Sequence, residues 1–369
     1  MNSSTKKLEI ILAKATGGQS LGKEDLIFLL GIDDRDQLET IFRVARNLRY
    51  KYFGDKIFLY GFLYITTYCK NDCRFCFFRK SNTASRRYRK EDQEIVSVAG
   101  RMAESGVHLI DLTMGEDPAY FNQGMNGFEK LLNLVTTVRH TTGLPVMISP
   151  GVMQDDQLKK VAEAGAGWYA CYQETHCRSL FQRLRPGQDY DVRMGAKLAA
   201  HQRGLLIEEG LLCGVGETPV DVAESISVMR LIDADQIRVM NFIPQRGTPM
   251  ENRTPPDSIK ELLISAVMRL TLPDRLIPAS LDVDGLIGLR RRLDAGANVV
   301  TSLVLPGGGL AGVAQHSLDI EEGNRTSTRV MSVLETIGLR PASVKEYIKW
   351  IQLRKRSLEE NHSLEKIAC

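Results

Sequence analysis

Three cysteines lie close together in one short segment, Cys69, Cys73 and Cys76, with the spacing C-x3-C-x2-C. Their thiolates could bind three irons of a cubane iron–sulfur cluster, whereas a ferredoxin supplies a fourth cysteine that is usually close by. The next cysteine here, Cys171, is far along the chain. Three ligands leave one iron with an open coordination position, which a metal site needs for catalysis. The spacing therefore predicts a 4Fe–4S cluster that binds a further ligand through its free iron.

S-adenosylmethionine is the expected ligand of the open iron, because its amino and carboxylate groups can chelate a metal. An electron passed to its sulfonium would break a C–S bond and give a 5′-deoxyadenosyl radical. Three alternatives stay open for the cysteines: a zinc site, which would want a fourth Cys or His, structural cysteines without a ligand, and an electron carrier with a distant fourth ligand. Phe75, directly before Cys76, and the apolar run before the loop favour the cluster that cleaves S-adenosylmethionine.

The composition is that of an ordinary globular protein, with 369 residues, 43% of them hydrophobic and 25% charged. A formal net charge of +3 is too small to argue for nucleic acid or an anionic membrane as a partner. No apolar run approaches the roughly 18 residues that a membrane span needs, and the polar N-terminus is unlike a signal peptide. Seven cysteines at irregular spacing do not form a disulfide framework. We therefore expect a cytoplasmic protein that binds neither nucleic acid nor membrane.

Short apolar runs alternate with amphipathic stretches from residue 57 onward, which indicates a parallel sheet with crossover helices. Eight such units within roughly 250 residues match an α/β fold of the TIM type, a (β/α)8 barrel. The predicted strands are 57–65, 107–113, 145–149, 168–172, 205–212, 236–242, 275–280 and 297–303. The predicted helices between them include 91–105, 127–140, 155–164, 191–203, 219–232 and 257–271. In such a barrel the functional residues lie at the C-terminal ends of the strands.

Helical segments flank the predicted barrel on both sides. We divide the chain into an N-terminal helical segment, the barrel, and a C-terminal helical region with a charged tail: 1–55, 56–305 and 306–369. The N-terminal assignment rests on 20–53, where apolar residues recur at helical spacing. A Pro-Gly-Gly-Gly run at 306–309 predicts a loop. Helices are predicted over 320–337 and 343–353, and the charged stretch 354–369 is expected to fray.

The cysteine loop resembles the radical S-adenosylmethionine (radical SAM) superfamily. The helical segment before it, with Ala45 and Phe53-Gly54, is similar to the biotin synthase-like branch of that superfamily. The resemblance implies a 4Fe–4S cluster on the three cysteines, S-adenosylmethionine bound to it, and Phe75 lying against the adenine. Biotin synthase holds a second, 2Fe–2S cluster on barrel cysteines. Glu208 and Ser149 stand in their places here, which disfavours sulfur insertion.

Further motifs at predicted strand ends resemble the cofactor-binding elements of the superfamily. The residues that the resemblance assigns to S-adenosylmethionine, besides Phe75, are Glu116, Ser149, Tyr172, Glu174, Arg185, Arg193 and Gly214. Glu116 would position the amino group of the cofactor, and Glu174 and Arg193 would hold its methionyl and ribose parts. Structural alternatives stay open: a plain turn at Gly115-Glu116, a surface ion pair between Glu174 and Arg193, and a glycine-rich turn at 210–217.

Longer strings resemble one family within this branch, the lysine mutases that form methylornithine. These strings are 111–118, 147–153, 277–282 and 295–298. The resemblance implies the first step of pyrrolysine biosynthesis, in which an isomerase rearranges L-lysine to (3R)-3-methyl-D-ornithine. It also implies an electron donor such as a flavodoxin or a ferredoxin. It covers nearly the whole chain up to 342, and the charged segment beyond departs from the family and has the character of an appendage.

Polar residues at the ends of the second, sixth, seventh and eighth predicted strands suit such a substrate. They are Asp111, Arg238, Ser280, Asp282, Thr301 and Ser302. A diamino acid needs a clamp for its carboxylate, which Arg238 can grip bidentately, and acceptors for its ammonium groups, which Asp111 and Asp282 provide. Hydrogen bonds or ion pairs inside the barrel are the structural alternative for each residue. No catalytic side chain is predicted beyond the cluster and the cofactor radical.

Two other functions stay open at this point. A radical enzyme similar to hydrogenase maturases would share the cysteine loop, Glu174 and Arg193, and would act on another small substrate. A carrier or scaffold for iron–sulfur clusters would need the cysteines without the polar set at the later strand ends. Cleavage of S-adenosylmethionine separates an enzyme from a carrier, and the product separates the two enzymes.

Overall fold

The centre of the molecule is a barrel of parallel strands. The computed structural model describes residues 3–121, 125–305 and 325–368. The barrel strands are β1 Lys56–Thr66, β2 Leu109–Met114, β3 Val146–Ser149, β4 Ala166–Ala170, β5 Leu206–Cys213, β6 Gln236–Asn241, β7 Pro278–Ser280 and β8 Val299–Leu303. They pair in the order β6-β5-β4-β3-β2-β1-β8-β7, and a parallel bridge from Gln236 to Leu276 links the two ends. The predicted (β/α)8 barrel is confirmed, and each predicted strand overlaps an observed one.

Strand β1 shows how the sequence fills the barrel. Ten of its residues are buried, because a strand of a barrel is covered on both faces. Successive side chains point to opposite faces of the sheet. Phe58, Tyr60, Phe62 and Tyr64 belong to the aromatic core inside the barrel, whereas the aliphatic residues that alternate with them pack under the helices outside. The cysteine loop begins where this strand ends.

Helices surround the barrel. Those between the strands are α4 Asp92–Glu104, α5 Pro118–Phe121, α6 Met125–Thr142, α7 Asp155–Glu163, α8 Arg178–Leu184, α9 Tyr190–Gln202, α10 Pro219–Leu231, α11 Ser258–Thr271 and α12 Leu289–Asp294. They begin where the sequence supplies caps: Thr218 before α10 and Asp257 before α11 each accept a backbone N–H. None of the described helices is long and apolar enough to cross a membrane.

The N-terminal region differs from the prediction. It contains α1 Ser3–Thr16, α2 Lys23–Leu30 and α3 Arg35–Phe53. Helix α1, which buries one apolar face, was not predicted. The single helical segment 20–53 is two helices, because Gly31 ends α2 and the side chain of Asp34 caps α3 by accepting from Gln37 N at 3.0 Å.

The C-terminal region closes the end of the barrel opposite to the cysteine loop. It contains α13 Ser327–Thr336, β9 Arg340–Pro341 and α14 Val344–Ala368. The hydroxyls of Tyr347 and Tyr60 lie 2.6 Å apart inside the barrel. Trp350 stacks on Trp168 with ring centroids 6.0 Å apart.

Helix α14 continues through 343–353 to Ala368, so the charged stretch is helical, and the expectation that its end frays stays a prediction. Arg354 of this helix is buried and forms ion pairs with Asp233 and Asp235. The first residue of the charged segment is therefore anchored to the barrel. The loop predicted at 306–309 and the first residues of the helix predicted over 320–337 lie outside the described residues.

Candidate active site

A cavity lies at the C-terminal ends of the barrel strands. Its empty space, including the part that is open to solvent, is about 1240 Å³. Most of the predicted site residues line it: Cys69, Cys73, Phe75, Cys76, Asp111, Glu116, Ser149, Tyr172, Glu174, Arg185, Arg193, Arg238 and Asp282. Four predicted residues do not line it: Gly214, Ser280, Thr301 and Ser302. The barrel thus brings together residues that are far apart in the sequence, at the end of the fold where function was expected.

The three cysteines form one wall of this cavity, and their surroundings suit an iron–sulfur cluster. Cys73 is buried, and its Sγ accepts from Arg185 Nη1 at 3.4 Å and from Gln188 Nε2 at 3.1 Å. Such donors stabilise a thiolate or a cluster sulfur. Burial and the neighbouring sulfurs of Cys73 and Cys69 raise the pKa of Cys76. Cys73 is buried and Cys69 and Cys76 are half-buried, and three thiolates this close would repel one another. The positive charge of an iron–sulfur core would be needed to hold them deprotonated together.

The cysteines make a different arrangement from a site for one ion. In the described parts of the chain, no three His, Cys, Asp or Glu side chains converge where a single metal ion could sit. A cubane does not require its three thiolates to converge on one point, because each of them binds a different iron. All six described cysteines are free of disulfides. The donor set therefore fits a three-cysteine cubane.

Gly115 lets the turn after β2 approach the cysteine loop. A Cβ atom at this position would lie 2.3 Å from the carbonyl oxygen of Tyr68 and 2.8 Å from Cβ of Cys69. Any larger residue would push the loop away. Lys70 N also donates to the carbonyl of Glu116 at 2.9 Å. The cysteine loop and the Gly115-Glu116 turn, two separate motifs in the sequence, are thus packed against each other.

Glu116 lies next to two cations at the cofactor side of the cavity. Its Oε1 is 3.2 Å from Arg193 Nη1, and its Oε2 is 3.3 Å from Lys70 Nζ. Burial alone would raise the pKa of this carboxyl, but Arg193 and Lys70 outweigh burial and hold the pKa below its usual value. Arg193 also donates through Nε to the carbonyl of Tyr172 at 2.8 Å. Glu116 is therefore a fixed carboxylate that could accept from an ammonium group.

Glu174 pairs with Arg185 rather than with Arg193. Arg185 Nη2 donates to Glu174 Oε1 at 2.8 Å, and the guanidinium lies 5.3 Å from the ring centroid of Phe75. Glu174 has φ +67°, a left-handed conformation that is uncommon for a residue with a side chain. Such strain persists only where the surrounding structure enforces it, and it often marks a functional site.

A buried ion pair, on the side of the cavity wall that faces away from the cavity, stabilises the left-handed backbone conformation of Glu174. The carboxylate of Glu209 accepts from Gln173 N and Gly210 N, both at 2.7 Å, and forms an ion pair with Lys197. Burial would raise the pKa of Glu209, but Lys197 and His176 outweigh it and lower the pKa to about 2. Glu209 therefore ties β5 to the strained turn from the outer side of the barrel.

Removing this charge should cost much more stability than removing an exposed pair. Glu209→Gln is expected to lower the free energy of unfolding by about 3–5 kcal/mol, because it leaves Lys197 buried without its counter-charge. Arg178→Ala is the control, since Arg178 and Asp191 form a pair with side chains 60% and 71% exposed. We expect a loss of about 0–1 kcal/mol there. Urea unfolding of both variants measures the difference, and equal losses would contradict the buried role of Glu209.

The glycine-rich turn at 210–217 is held from within by its own acidic residue. Glu217 accepts from the backbone N–H groups of Gly214, Val215 and Gly216 at 2.8–3.0 Å. A Cβ on Gly214, which has φ +89°, would lie 2.4 Å from Pro256. Gly214 thus shapes the turn away from the cavity wall, and its assignment to S-adenosylmethionine stays a prediction.

Arg238 and Glu208 form a buried pair on neighbouring strands of the barrel interior. Arg238 Nε donates to Glu208 Oε1 at 2.7 Å, and both residues are almost fully buried. The guanidinium lies 5.7 Å from the ring centroid of Phe62 and 5.5 Å from that of Tyr172. Arg238 Nη2 has no hydrogen-bond partner among the described residues. The guanidinium is held through Nε and offers a free N–H edge.

Asp111 is the second ionisable group on the substrate side. Ser149 Oγ donates to Asp111 Oδ1 at 2.9 Å, so Ser149 lies beside this carboxyl. Burial, with the negative charge of Glu208 as the next cause, raises the pKa of Asp111 to about 7. A carboxyl with this pKa can change its protonation state near neutral pH.

Asp282 has a partner that the sequence analysis did not identify. Arg325 Nη1 donates to Asp282 Oδ1 at 2.5 Å, and both side chains are buried. Ser302 Oγ donates to Asp282 Oδ2 at 2.7 Å, and Ser280 Oγ lies 3.3 Å from the same oxygen. Ser280 and Ser302 thus hold Asp282 from outside the cavity wall. Thr301 Oγ1 is buried with no hydrogen-bond partner among the described residues.

Comparison with known proteins agrees with this geometry. Residues 63–229 match the model of the Radical SAM superfamily. A 3-methylornithine synthase of Methanosarcina acetivorans is 41% identical over 343 residues, covering 93% of this chain and 97% of the relative. The FeFe-hydrogenase maturase subunit HydE of Thermotoga maritima is 30% identical over 281 residues, covering 75% and 79%. A crystal structure of methylornithine synthase superposes with a TM-score of 0.85 and 40% identity, covering 92% of this chain and 99% of that one.

The cysteine loop, the barrel and these similarities define the chain as a radical SAM enzyme, and its cofactors are a 4Fe–4S cluster and S-adenosylmethionine. Within that superfamily the chain belongs to the 3-methylornithine synthase family. The resemblance drawn from the cysteine loop and the longer strings is confirmed. The alternatives of a zinc site and of ligand-free structural cysteines do not hold.

Proposed function

We propose that this chain is a lysine mutase, an isomerase that converts L-lysine to (3R)-3-methyl-D-ornithine in the first step of pyrrolysine biosynthesis. Its 41% identity to a 3-methylornithine synthase over nearly the whole chain supports this proposal. The structural observation that carries it is the buried guanidinium of Arg238 with a free Nη2, in the same cavity as Asp111. A cation and a carboxyl in one cavity suit an amino acid that carries additional charge.

The cofactor side of the cavity would be arranged by the residues that line it. Cys69, Cys73 and Cys76 would hold the cluster, and Glu116 would accept from the cofactor's amino group. Arg193 and Glu174 would contact its carboxylate and hydroxyl groups. When bound, the two cofactors supply a 5′-deoxyadenosyl radical, which can take a hydrogen atom from an unactivated carbon.

Substrate binding follows from the charges at the base of the cavity. Arg238 would bind the α-carboxylate of L-lysine through its free N–H edge, because Glu208 fixes the guanidinium through Nε. Asp111 would accept from an ammonium group. Asp282 would contribute less charge than the sequence analysis assumed, since Arg325 already neutralises it.

The cavity walls would protect reactive carbon fragments from water. Phe62, Tyr64 and Phe78 contribute aromatic surface to the lining, and α14 closes the opposite end of the barrel through the contacts of Tyr347 and Trp350 described above. A radical that breaks into two fragments needs such walls, because a stray hydrogen donor would quench it.

Asp111 should give the reaction a pH dependence near neutrality. Its pKa of about 7 means that the carboxyl is neutral below this pH and can accept an ammonium group fully only above it. We expect kcat/KM for L-lysine to rise about tenfold per pH unit up to about pH 7 and then to level off. In Asp111→Asn, kcat/KM should no longer rise between pH 5.5 and 7 and should be low at all pH values. Initial rates between pH 5.5 and 8.5 measure the profile, and an unchanged limb in the variant would contradict the assignment.

The proposal is tested by turnover without oxygen. The reconstituted protein is incubated with reductant, S-adenosylmethionine and L-lysine, and the products are derivatised and separated by chromatography. Because lysine and methylornithine are isomers, mass alone cannot distinguish them. A new diamino acid that comigrates with methylornithine supports the proposal. Formation of 5′-deoxyadenosine without this product would reject it.

A second candidate is a maturase-like radical enzyme that acts on another small molecule. The 30% identity to HydE of Thermotoga maritima favours it, since the matched segment covers most of the barrel. The lower identity and coverage make it the weaker candidate. The same incubation decides, because a maturase-like enzyme would leave L-lysine unchanged.

A further inference from the structure

The loop that holds the cluster carries an unusual concentration of positive charge. Residues 70–90 contain eight Lys or Arg residues and a single acid, Asp72, although the whole chain has a formal net charge of only +3. A surface with clustered positive charge attracts negatively charged partners.

Five of these eight cations are used inside the fold. Four form ion pairs, and one donates to backbone carbonyls: Lys70 to Glu116, Arg79 to Asp72, Arg89 to Asp117, Lys90 to Glu94, and Arg87 to the carbonyls of Thr67, Phe78 and Arg79. Arg74, Lys80 and Arg86 are exposed and form no ion pair with any described residue. Lys80 is close enough to Asp72 to help lower the pKa of that carboxyl, but all three side chains present their charge to solvent.

Two cations from neighbouring segments extend this surface. Arg183 is exposed and precedes Leu184, whose carbonyl accepts from Arg74 N at 2.8 Å. Arg246 is also exposed, and its carbonyl accepts from Asn82 Nδ2 at 3.0 Å. We call the exposed cations Arg74, Lys80, Arg86, Arg183 and Arg246 the basic face.

The basic face lies on the loop that carries the cluster ligands. Arg74 stands between Cys73 and Cys76 in the sequence, and Lys80 N donates to the carbonyl of Asn71, which lines the cavity, at 2.8 Å. The rate of electron transfer between two redox centres falls steeply with distance. A donor that docks on this loop would therefore have a short path to the cluster.

We propose that the basic face docks an acidic one-electron carrier protein of the flavodoxin type. The reduced carrier gives up one electron and the cluster gains it, and no covalent bond changes. The proposal rests on the cluster that the family uses and not on the identity of the amino acid substrate. A nucleic acid is a poorer occupant, because no aromatic side chain of 70–90 is exposed for stacking on bases.

Charge reversal on the face tests the docking. Lys80→Glu, Arg86→Glu and Arg183→Glu are combined in one variant, and Arg74 is left in place because it adjoins two cluster ligands. Calorimetry with an oxidised, acidic flavodoxin should show binding to the parent protein that weakens with added salt. The variant should bind at least about tenfold more weakly.

A matched control carries the same change of charge elsewhere. Arg43 and Lys51 on α3 and Lys159 on α7 are exposed cations outside the basic face, and together they are changed to Glu. This control should bind flavodoxin like the parent protein. Equal affinity for all three proteins, or equal weakening in both variants, would overturn the proposal. So would binding of a single-stranded RNA that depends on the basic face without any binding of flavodoxin.

A second readout follows the electron itself. Stopped-flow absorbance measures reduction of the cluster by reduced flavodoxin and by dithionite, a small reductant that needs no docking face. We expect the basic-face variant to be reduced at least about tenfold more slowly by flavodoxin and at the parent rate by dithionite. A parent rate with both reductants would overturn the proposal. Neither assay contains lysine, so failure here is distinguishable from failure of the lysine mutase proposal.

Discussion

Arg238→Lys is expected to lower kcat/KM for L-lysine by roughly 30- to 700-fold. This corresponds to about 2–4 kcal/mol, the usual cost of spoiling a buried, hydrogen-bonded charge pair, at 1.4 kcal/mol per tenfold. Lysine keeps the positive charge, but it lacks the planar fork that can bind Glu208 through Nε and a carboxylate through the other N–H groups. The loss should therefore appear even though the charge of the cavity is preserved.

The control for this substitution is Arg178→Lys, because Arg178 is an exposed arginine that lies outside the cavity. Its kcat/KM should stay within about twofold of the parent value. The Arg238→Lys protein should still cleave S-adenosylmethionine slowly when lysine is present. This slow cleavage distinguishes a lost substrate clamp from a damaged cofactor site. An unchanged kcat/KM in Arg238→Lys would mean that this guanidinium does not bind the substrate.

Cys73→Ser should have the largest effect of any single substitution. Removing one of three thiolates from a cluster that has no fourth protein ligand is expected to abolish the 4Fe–4S absorbance and to lower turnover by at least about a thousandfold, since the metal site supplies the chemistry. Cys73 is the best choice of the three, because Arg185 and Gln188 both donate to its sulfur. Iron content and absorbance after anaerobic reconstitution measure the loss.

Cys177→Ser is the matched control, since Cys177 is a half-buried cysteine that hydrogen-bonds Ser179 and lies outside the cavity wall. We expect this variant to keep the iron content and turnover of the parent protein. A full cluster in Cys73→Ser, or an equal loss in Cys177→Ser, would show that the cluster is not held as the loop geometry indicates.

The sequence predicted well wherever local patterns determine structure. Buried strands read as apolar runs, so the eight strands and the site at their C-terminal ends could be placed. The cysteine spacing is also local, and Cys69, Cys73 and Cys76 line the cavity as expected. Glu174 was found from its position after a strand, although the pattern gave no sign of its strained backbone.

Contacts that depend on the path of the chain could not be predicted. Arg325 pairs with Asp282 from beyond 306–324, and nothing in its local spacing shows where its side chain lies. Glu208 was considered only as a position where biotin synthase has a cysteine, and its ion pair with Arg238 was not predicted. A charged residue inside an apolar strand signals a buried partner, and the register that sets Gly210 opposite Arg238 brings Glu208 within reach of that arginine.

The C-terminal helix shows the same limit. Its charged sequence resembles a solvated tail, because Arg354 has no partner nearby in the sequence. In the fold, that arginine forms ion pairs with Asp233 and Asp235, directly before β6. A charge that appears exposed in the sequence is thus buried in ion pairs between α14 and the segment before β6.

The central proposal is that this cavity changes the carbon skeleton of L-lysine. The most direct measurement is carbon NMR of an anaerobic reaction on uniformly 13C-labelled L-lysine with S-adenosylmethionine and reductant. Lysine contains no methyl group, whereas 3-methylornithine contains one. We predict a new methyl resonance, coupled to a single carbon, that grows as the lysine signals decline. Lysine resonances that stay unchanged while 5′-deoxyadenosine accumulates would contradict the proposal.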